Sequence, residues 1–282
     1  MLKDYQYTLF PYAYNILGSV EDAKDTIQDV LSNYVSADRK GIENEKAYLV
    51  RSVINQSINA KNKRKTVNYD DVWLPEPVAT EEADKALHLR DIGSYTMLIL
   101  MEELNPKERA VFILKEGFGY SHDEIADVLS GTVEQSRKLL SRAKAKLDQR
   151  RQEAPLNNKT VSAALLDQYL HAIRKGDTQR LENMLSQDIV FYADGGGKVN
   201  VAKKLCTGIQ DVTQLIIYVY NKYQTAFNFE FTMINHQPAL LFYLEGQLYG
   251  CQVFTISPED NKILQISTVL DPDKLKNIEI RN

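Results

Sequence analysis

The chain has 282 residues and a formal net charge of −4, with 44% hydrophobic and 26% charged side chains, the balance of a soluble protein with room for two or three domains. No apolar run approaches the about eighteen residues that a membrane span needs, and the N-terminal MLKDYQYTLF lacks signal-peptide character, so a cytoplasmic protein without a membrane partner is expected. The cysteines Cys206 and Cys251 lie far apart without metal-type spacing, so they read as buried thiols, and neither metal nor cofactor is expected.

Charge is segregated along the chain. Basic residues bunch at Lys61–Lys65 (KNKRK) and between Ser136 and Arg151, whereas acidic ones bunch between Glu21 and Asp29. That pattern suggests one surface for an anionic polymer and another for a basic protein.

From Ser19 the spacing predicts a capped helix, with Val20, Ala23, Ile27, Val30, Leu31 and Tyr34 on its apolar face and Glu21, Asp25, Gln28, Asp29 and Ser32 opposite. A second helix is predicted from near Asn44. Leu49, Val50, Val53, Ile54 and Ile58 form its stripe, and Arg51, Asn55, Gln56 and Asn59 share the outer face that leads into KNKRK. Amides and guanidinium groups suit base edges, and lysines suit phosphates. Beyond Lys65 the pattern gives way to an exposed linker broken by Pro75 and Pro77, in which Trp73 and Leu74 are the apolar exceptions. A large apolar side chain in such a segment calls for a docking site.

Three capped helices follow. Asn105 with Pro106 and Glu108, Ser121 with Glu124, and Thr132 with Gln135 are predicted starts, with Gly131 between the last two helices. The last helix carries Arg137, Lys138, Arg142, Lys144 and Lys146, so the pair reads as a helix-turn-helix whose second helix enters a major groove.

From Thr160 the pattern restarts with helices around Leu165–Ile173 and Leu181–Leu185. The runs IVFYA, AFNFEFTMI, PALLFYLEG, LYGCQVFTIS and ILQISTVL then predict an antiparallel meander, hence an α+β domain. Between these stands DGGGK, Asp194 to Lys198. It has the glycines and lysine of a phosphate loop but not the G-x-x-x-x-G-K-[ST] spacing, so a nucleotide site is not expected there.

LFPYAYNILGSVEDAKDTIQDVL resembles region 2 of the extracytoplasmic-function sigma factors, and LNPKERAVFILKEGFGYSHDEIADVLSGTVEQSRKLLSRAKAKL resembles their region 4. WLPEP (Trp73, Leu74, Pro75, Glu76, Pro77), DGGGK (Asp194, Gly195, Gly196, Gly197, Lys198) and DPDKL (Asp271, Pro272, Asp273, Lys274, Leu275) occur in the order seen in the SigJ-like subgroup, which carries a SnoaL-like C-terminal extension. The resemblance implies a multi-domain protein: all-α region 2 over residues 1–68, a linker over 69–92, region 4 with its helix-turn-helix over 93–152, and an α+β SnoaL-like cone over 160–282.

It further implies a transcription-initiation role in which Asp25, Gln28 and Asp29 meet the β′ clamp of core RNA polymerase and region 4 meets the β flap. Arg51, Asn55, Asn59, Lys61, Lys63, Arg64 and Lys65 would hold the −10 promoter element. Glu134, Gln135, Ser136, Arg137, Arg142 and Lys144 would read the −35 element. The WLPEP, DGGGK and DPDKL residues would form a regulatory interface, with no catalytic residue. Asp271 departs from the asparagine usual in the subgroup, which puts that tail contact in doubt. An alternative is a SnoaL-like isomerase, cyclase or ligand sensor fused to a DNA-binding module, with Asp194 and His236 as candidate catalytic groups. A small ligand in the C-terminal cavity is a further candidate partner.

Overall fold

The computed structural model describes residues 2–36, 42–64, 72–81, 91–148 and 159–278. The chain divides into two compact units, one of Met1–Asn68, Glu82–Gly93 and Met97–Arg151, the other of Tyr69–Glu81, Ser94–Thr96 and Gln152–Asn282.

In the first unit, α1 (Leu2–Leu17), α2 (Val20–Ser36) and α3 (Glu45–Arg64) pack together through Leu9, Ala13, Ile27, Leu31, Leu49, Val53 and Ile54, all at most 7% exposed. Gly18, at φ 72°, ends α1, and Ser19 Oγ accepts the Asp22 N–H at 3.1 Å to start α2. Asn44 Oδ1 caps α3 through the Ala47 N–H at 3.0 Å. A short helix α4 (Tyr95–Leu100) is followed by α5 (Pro106–Phe112), α6 (His122–Val128) and α7 (Val133–Asp148). Capping boxes close at Asn105/Glu108 and Ser121/Glu124, and Thr132 and Gln135 exchange the same pair of bonds at 3.2 and 3.1 Å. Each cap removes orphan N–H groups and contributes about 1 kcal/mol, so the expected helix starts are set locally.

Within this unit the fully buried Arg109 donates from Nε to Asn15 O at 2.8 Å and from Nη1 to Glu102. Lys61 Nζ reaches the same carboxylate and Leu17 O, each at 3.1 Å. Burial raises the Glu102 carboxyl, but Arg109 and Lys61 outweigh it and hold the group below its usual range.

The second unit begins with α8 (Lys159–Lys175) and α9 (Thr178–Met184). Six strands follow in the order β2-β1-β6-β5-β4-β3: β1 (Leu185–Asp194), β2 (Leu205–Thr207), β3 (Asn228–Ile234), β4 (Gln237–Leu244), β5 (Gln247–Ile256) and β6 (Ile263–Val269). β3 to β6 form the expected antiparallel meander. Its first two turns place Asn235 and His236, then Glu245 and Gly246, at positive φ, as two-residue hairpins require. The purely antiparallel expectation needs correction, because β1 joins β6 in parallel. The intervening chain supplies the crossover, including a helix that the sequence reading passed over, α10 (Ile209–Val219), with Val212, Leu215 and Ile216 buried against the sheet.

Residues 72–81 of the linker, predicted to be exposed, are instead built into this unit. Leu74, Pro75, Glu76 and Pro77 are buried, and Ala79 bridges Ile234 on the β3 edge. Thr80 N–H donates to Met233 O at 2.7 Å and Asn235 N–H to Val78 O at 2.9 Å. The Tyr95 hydroxyl donates to Pro75 O at 2.6 Å. Pairing to a sheet edge satisfies linker backbone groups at Val78 and Thr80 where water otherwise would, and the same contact covers the C-terminal end of the β3 edge.

Candidate functional site

The three short motifs meet in the second unit. Asp194, the last residue of β1, is 4% exposed and its carboxylate is fully engaged. Oδ1 accepts the Gly196 N–H at 2.8 Å, and Oδ2 accepts the Leu74 N–H at 2.8 Å and Lys274 Nζ at 2.5 Å. Lys274 lies on the one-turn helix α11 (Pro272–Leu275), and its ammonium also donates to Leu74 O at 2.6 Å. The pair therefore grips both backbone polar atoms of one linker residue, while the Trp73 ring lies 4.4 Å from the same ammonium. A buried ion pair of this kind fixes geometry more than it adds stability.

DGGGK forms the hinge of the clasp. Lys198 and Val199 N–H groups both donate to Gly195 O at 3.0 Å, closing a tight turn. Gly196 is at φ 61°, and a Cβ there would lie 2.2 Å from the Asp271 carboxylate. Asp271 itself accepts the Asp273 N–H at 3.1 Å and starts α11, so an aspartate performs here the capping that an asparagine would. Lys198 pairs with Asp273, and Asp273 is pushed down to about 2 by its bonds to Lys198 and Lys276. Gly195, Gly197, Pro272 and Leu275 complete the set, and the glycines form no phosphate cradle: Gly195 lies against the Val199 carbonyl and Gly196 against the Asp271 carboxylate, while Gly197 faces open space.

Beside the clasp the unit encloses a cavity of about 330 Å³. Its walls are mainly apolar, from Leu170 and Ile173 on α8, Leu215, Ile216 and Val219 on α10, and Phe229 on β3. The polar floor is a chain in which the Tyr169 hydroxyl donates to Gln252 Oε1 at 3.3 Å and Gln252 Nε2 to Thr268 Oγ1 at 3.0 Å. Burial pushes the Tyr169 phenol well above its usual range, so it stays neutral. Among the described residues that line the cavity there is no Asp, Glu or His. Asp194 is turned into the clasp, and His236 sits in the β3–β4 turn.

In the first unit Asp25, Gln28 and Asp29 share the exposed face of α2. On α3, Asn59 and Lys63 are exposed. Arg51 Nη2 donates to Ser130 Oγ and Asn55 Nδ2 to Val128 O, each at 2.8 Å, so both side chains are engaged by the turn between α6 and α7. Lys61 corrects the sequence reading: expected on the outer face, it is 4% exposed because it lies on the stripe of Ile54 and Ile58 and neutralises Glu102. Lys65 and the side chain of Arg64 lie outside the described residues. On α7, Glu134, Gln135, Arg137, Arg142 and Lys144 are exposed, with Glu134 paired to Lys138 and Lys144 to Glu116. Ser136 is a second correction: it is 2% exposed and its Oγ bonds His122 Nδ1 at 2.8 Å, pointing into the hairpin.

Comparison with known proteins agrees with this layout. The family described as Sigma-70, region 4 matches residues 98–147, the segment holding α5 to α7. The ECF RNA polymerase sigma factor SigJ of Mycobacterium tuberculosis (strain ATCC 25618 / H37Rv) is 26% identical over 76% of this chain and 70% of its own. A probable ECF RNA polymerase sigma factor SigI of M. tuberculosis (strain CDC 1551 / Oshkosh) is 25% identical over 95% of this chain and 91% of its own. The crystal structure of M. tuberculosis SigJ shares the fold, with a TM-score of 0.78 and 22% identity over 99% of this chain and 98% of that one. Residues 98–147 thus carry a Sigma-70 region 4 segment, and along most of its length the chain is similar to extracytoplasmic-function RNA polymerase sigma factors, SigJ and SigI among them.

Proposed function

We propose that the chain is a dissociable promoter-specificity subunit: it binds core RNA polymerase, recognises −10 and −35 elements, and starts transcription with its activity set by its own C-terminal SnoaL-like domain. The observation that carries the reading is the capped α6–α7 hairpin within the Sigma-70 region 4 match, with Arg137 and Arg142 exposed on its second helix.

The parts assign as follows. Residues 1–68 act as region 2, 93–152 as region 4 and 160–282 as the regulator, with 69–92 as the regulated linker. Asp25, Gln28 and Asp29 meet the β′ clamp, and region 4 meets the β flap. Asn59 and Lys63 hold the −10 element together with Arg51 and Asn55, once these leave Ser130 and Val128. Gln135, Arg137, Arg142 and Lys144 face the −35 element. The site of action is the cytoplasm; among the described residues no helix is long and apolar enough to cross a membrane. The rival reading as an isomerase or cyclase loses its acid, because the Asp194 carboxylate is committed to Leu74, Gly196 and Lys274.

Run-off transcription with core polymerase tests the proposal. Promoter-specific transcripts that require this chain support it, and their absence on every promoter of a genomic fragment pool overturns it.

A further inference from the structure

The cavity and the clasp share a wall. Leu270, Pro272 and Leu275 face the cavity, whereas Lys274, interleaved with them, holds Asp194 and Leu74, and the Asp271 carboxylate lies close against Gly196. On the other side, Val199 and Asn200 line the cavity directly after the glycine turn. An occupant that fills the cavity therefore touches both the α11 segment and the stretch that follows the glycine turn.

The lining dictates what could enter. About 330 Å³ at interior packing density holds roughly fifteen non-hydrogen atoms. The walls offer apolar contact, and the floor offers only neutral groups, of which Gln252 Nε2 carries a second hydrogen beyond the one given to Thr268. Lys203, the charged residue of the lining, is exposed, so no cation waits at the floor for a buried anion. No carboxylate or imidazole stands among the described lining residues, and burial keeps the Tyr169 phenol neutral, so the floor offers a bound substrate no ready base.

We propose that this cavity is a non-catalytic site for an uncharged, largely apolar molecule carrying one oxygen, and that its occupation tightens the clasp on Leu74. The coupling follows because such a molecule adds apolar contact to Pro272 and Leu275 only while α11 is docked, and a ligand that favours one state shifts the equilibrium towards it. The inference rests on the reading of the C-terminal domain as a regulator. Its test uses neither polymerase nor DNA, so it fails or stands apart from the transcription assay.

The full chain is titrated with the neutral dye phenylnaphthylamine, which is then displaced by decanol or by decanoate. Saturable dye binding is expected, with decanol displacing it at a concentration at least tenfold lower than decanoate. Val219→Phe, which fills the cavity, and Gln252→Leu, which removes the floor donor, should each weaken decanol binding, the first at least tenfold. Should Val219→Phe fail to fold, Gln252→Leu carries the comparison. Hydrogen exchange at the Leu74 amide, whose N–H is held by Asp194, should slow at least threefold in saturating decanol, and by reciprocity Lys274→Met should weaken decanol binding by the same factor. Absence of saturable binding, preference for decanoate, or unchanged affinity in the folded variants overturns the site, and unchanged Leu74 exchange overturns the coupling.

Discussion

Lys274 and Asp194 meet at 2.5 Å in the protein interior and hold the N–H and the C=O of Leu74 between them. The linker is thus gripped by its backbone, so its side-chain sequence is constrained less by this contact than its path is.

Removing one partner leaves the other charge buried and unpaired. Lys274→Met should cost about 3 kcal/mol in denaturant unfolding of the second unit, and adding Asp194→Asn should recover part of that loss. A double variant as unstable as the sum of the singles would show that the two residues act independently. Limited proteolysis should cut near Trp73 faster in the single variant than in the native chain.

The glycines differ in what they tolerate. Gly196→Ala combines a left-handed backbone at φ 61° with a Cβ 2.2 Å from the Asp271 carboxylate, and should cost roughly 2 kcal/mol or more. Gly197→Ala meets only the backbone cost of φ 71° in open space, about 1 kcal/mol. Thermal melts of the two variants check the order, and a reversal would remove Asp271 from the account.

Acid should weaken the first unit through Glu102. Its carboxyl is held below the ordinary 4.5 in the folded chain, so it contributes stability that is fully present above that value and is lost as pH falls through the lowered one. Glu102→Gln should cost about 2 kcal/mol at neutral pH, because Lys61 and Arg109 stay buried. The gap to the native chain should close as urea titrations move from neutral pH towards pH of about 3. A gap that does not change with pH would locate the effect elsewhere.

Ser130→Ala frees Arg51 without altering Arg51 itself. One hydrogen bond of about 1 kcal/mol then no longer opposes release of α3, and run-off transcription at limiting concentration should rise about two- to fivefold. An unchanged or lower yield would mean that the bond does not restrain promoter engagement.

Much of this was readable in the chain because its signals are local. Asn105, Ser121 and Thr132 start helices through bonds made within one turn, which is why those starts fall where the spacing put them. Lys61 and Ser136 were misplaced although their positions carried the signal: Lys61 follows Ile58 by three residues on the apolar stripe, and Ser136 stands between Val133 and Leu140 on theirs. Charge and polarity were weighed ahead of phase. The helix α10 was also legible, in Ile209, Val212, Leu215, Ile216 and Val219, but a run so rich in β-branched residues invites a strand reading. The parallel β1–β6 pairing and the buried linker were not legible, because both depend on partners about seventy or more residues away that no window of periodicity contains.

Trp73 is the only tryptophan in the chain, and its ring faces the Lys274 ammonium. Its intrinsic fluorescence is therefore a built-in gauge of whether the linker is seated, readable without labels on the chain alone. A shift of that emission towards the red would report release of the linker before any promoter is bound.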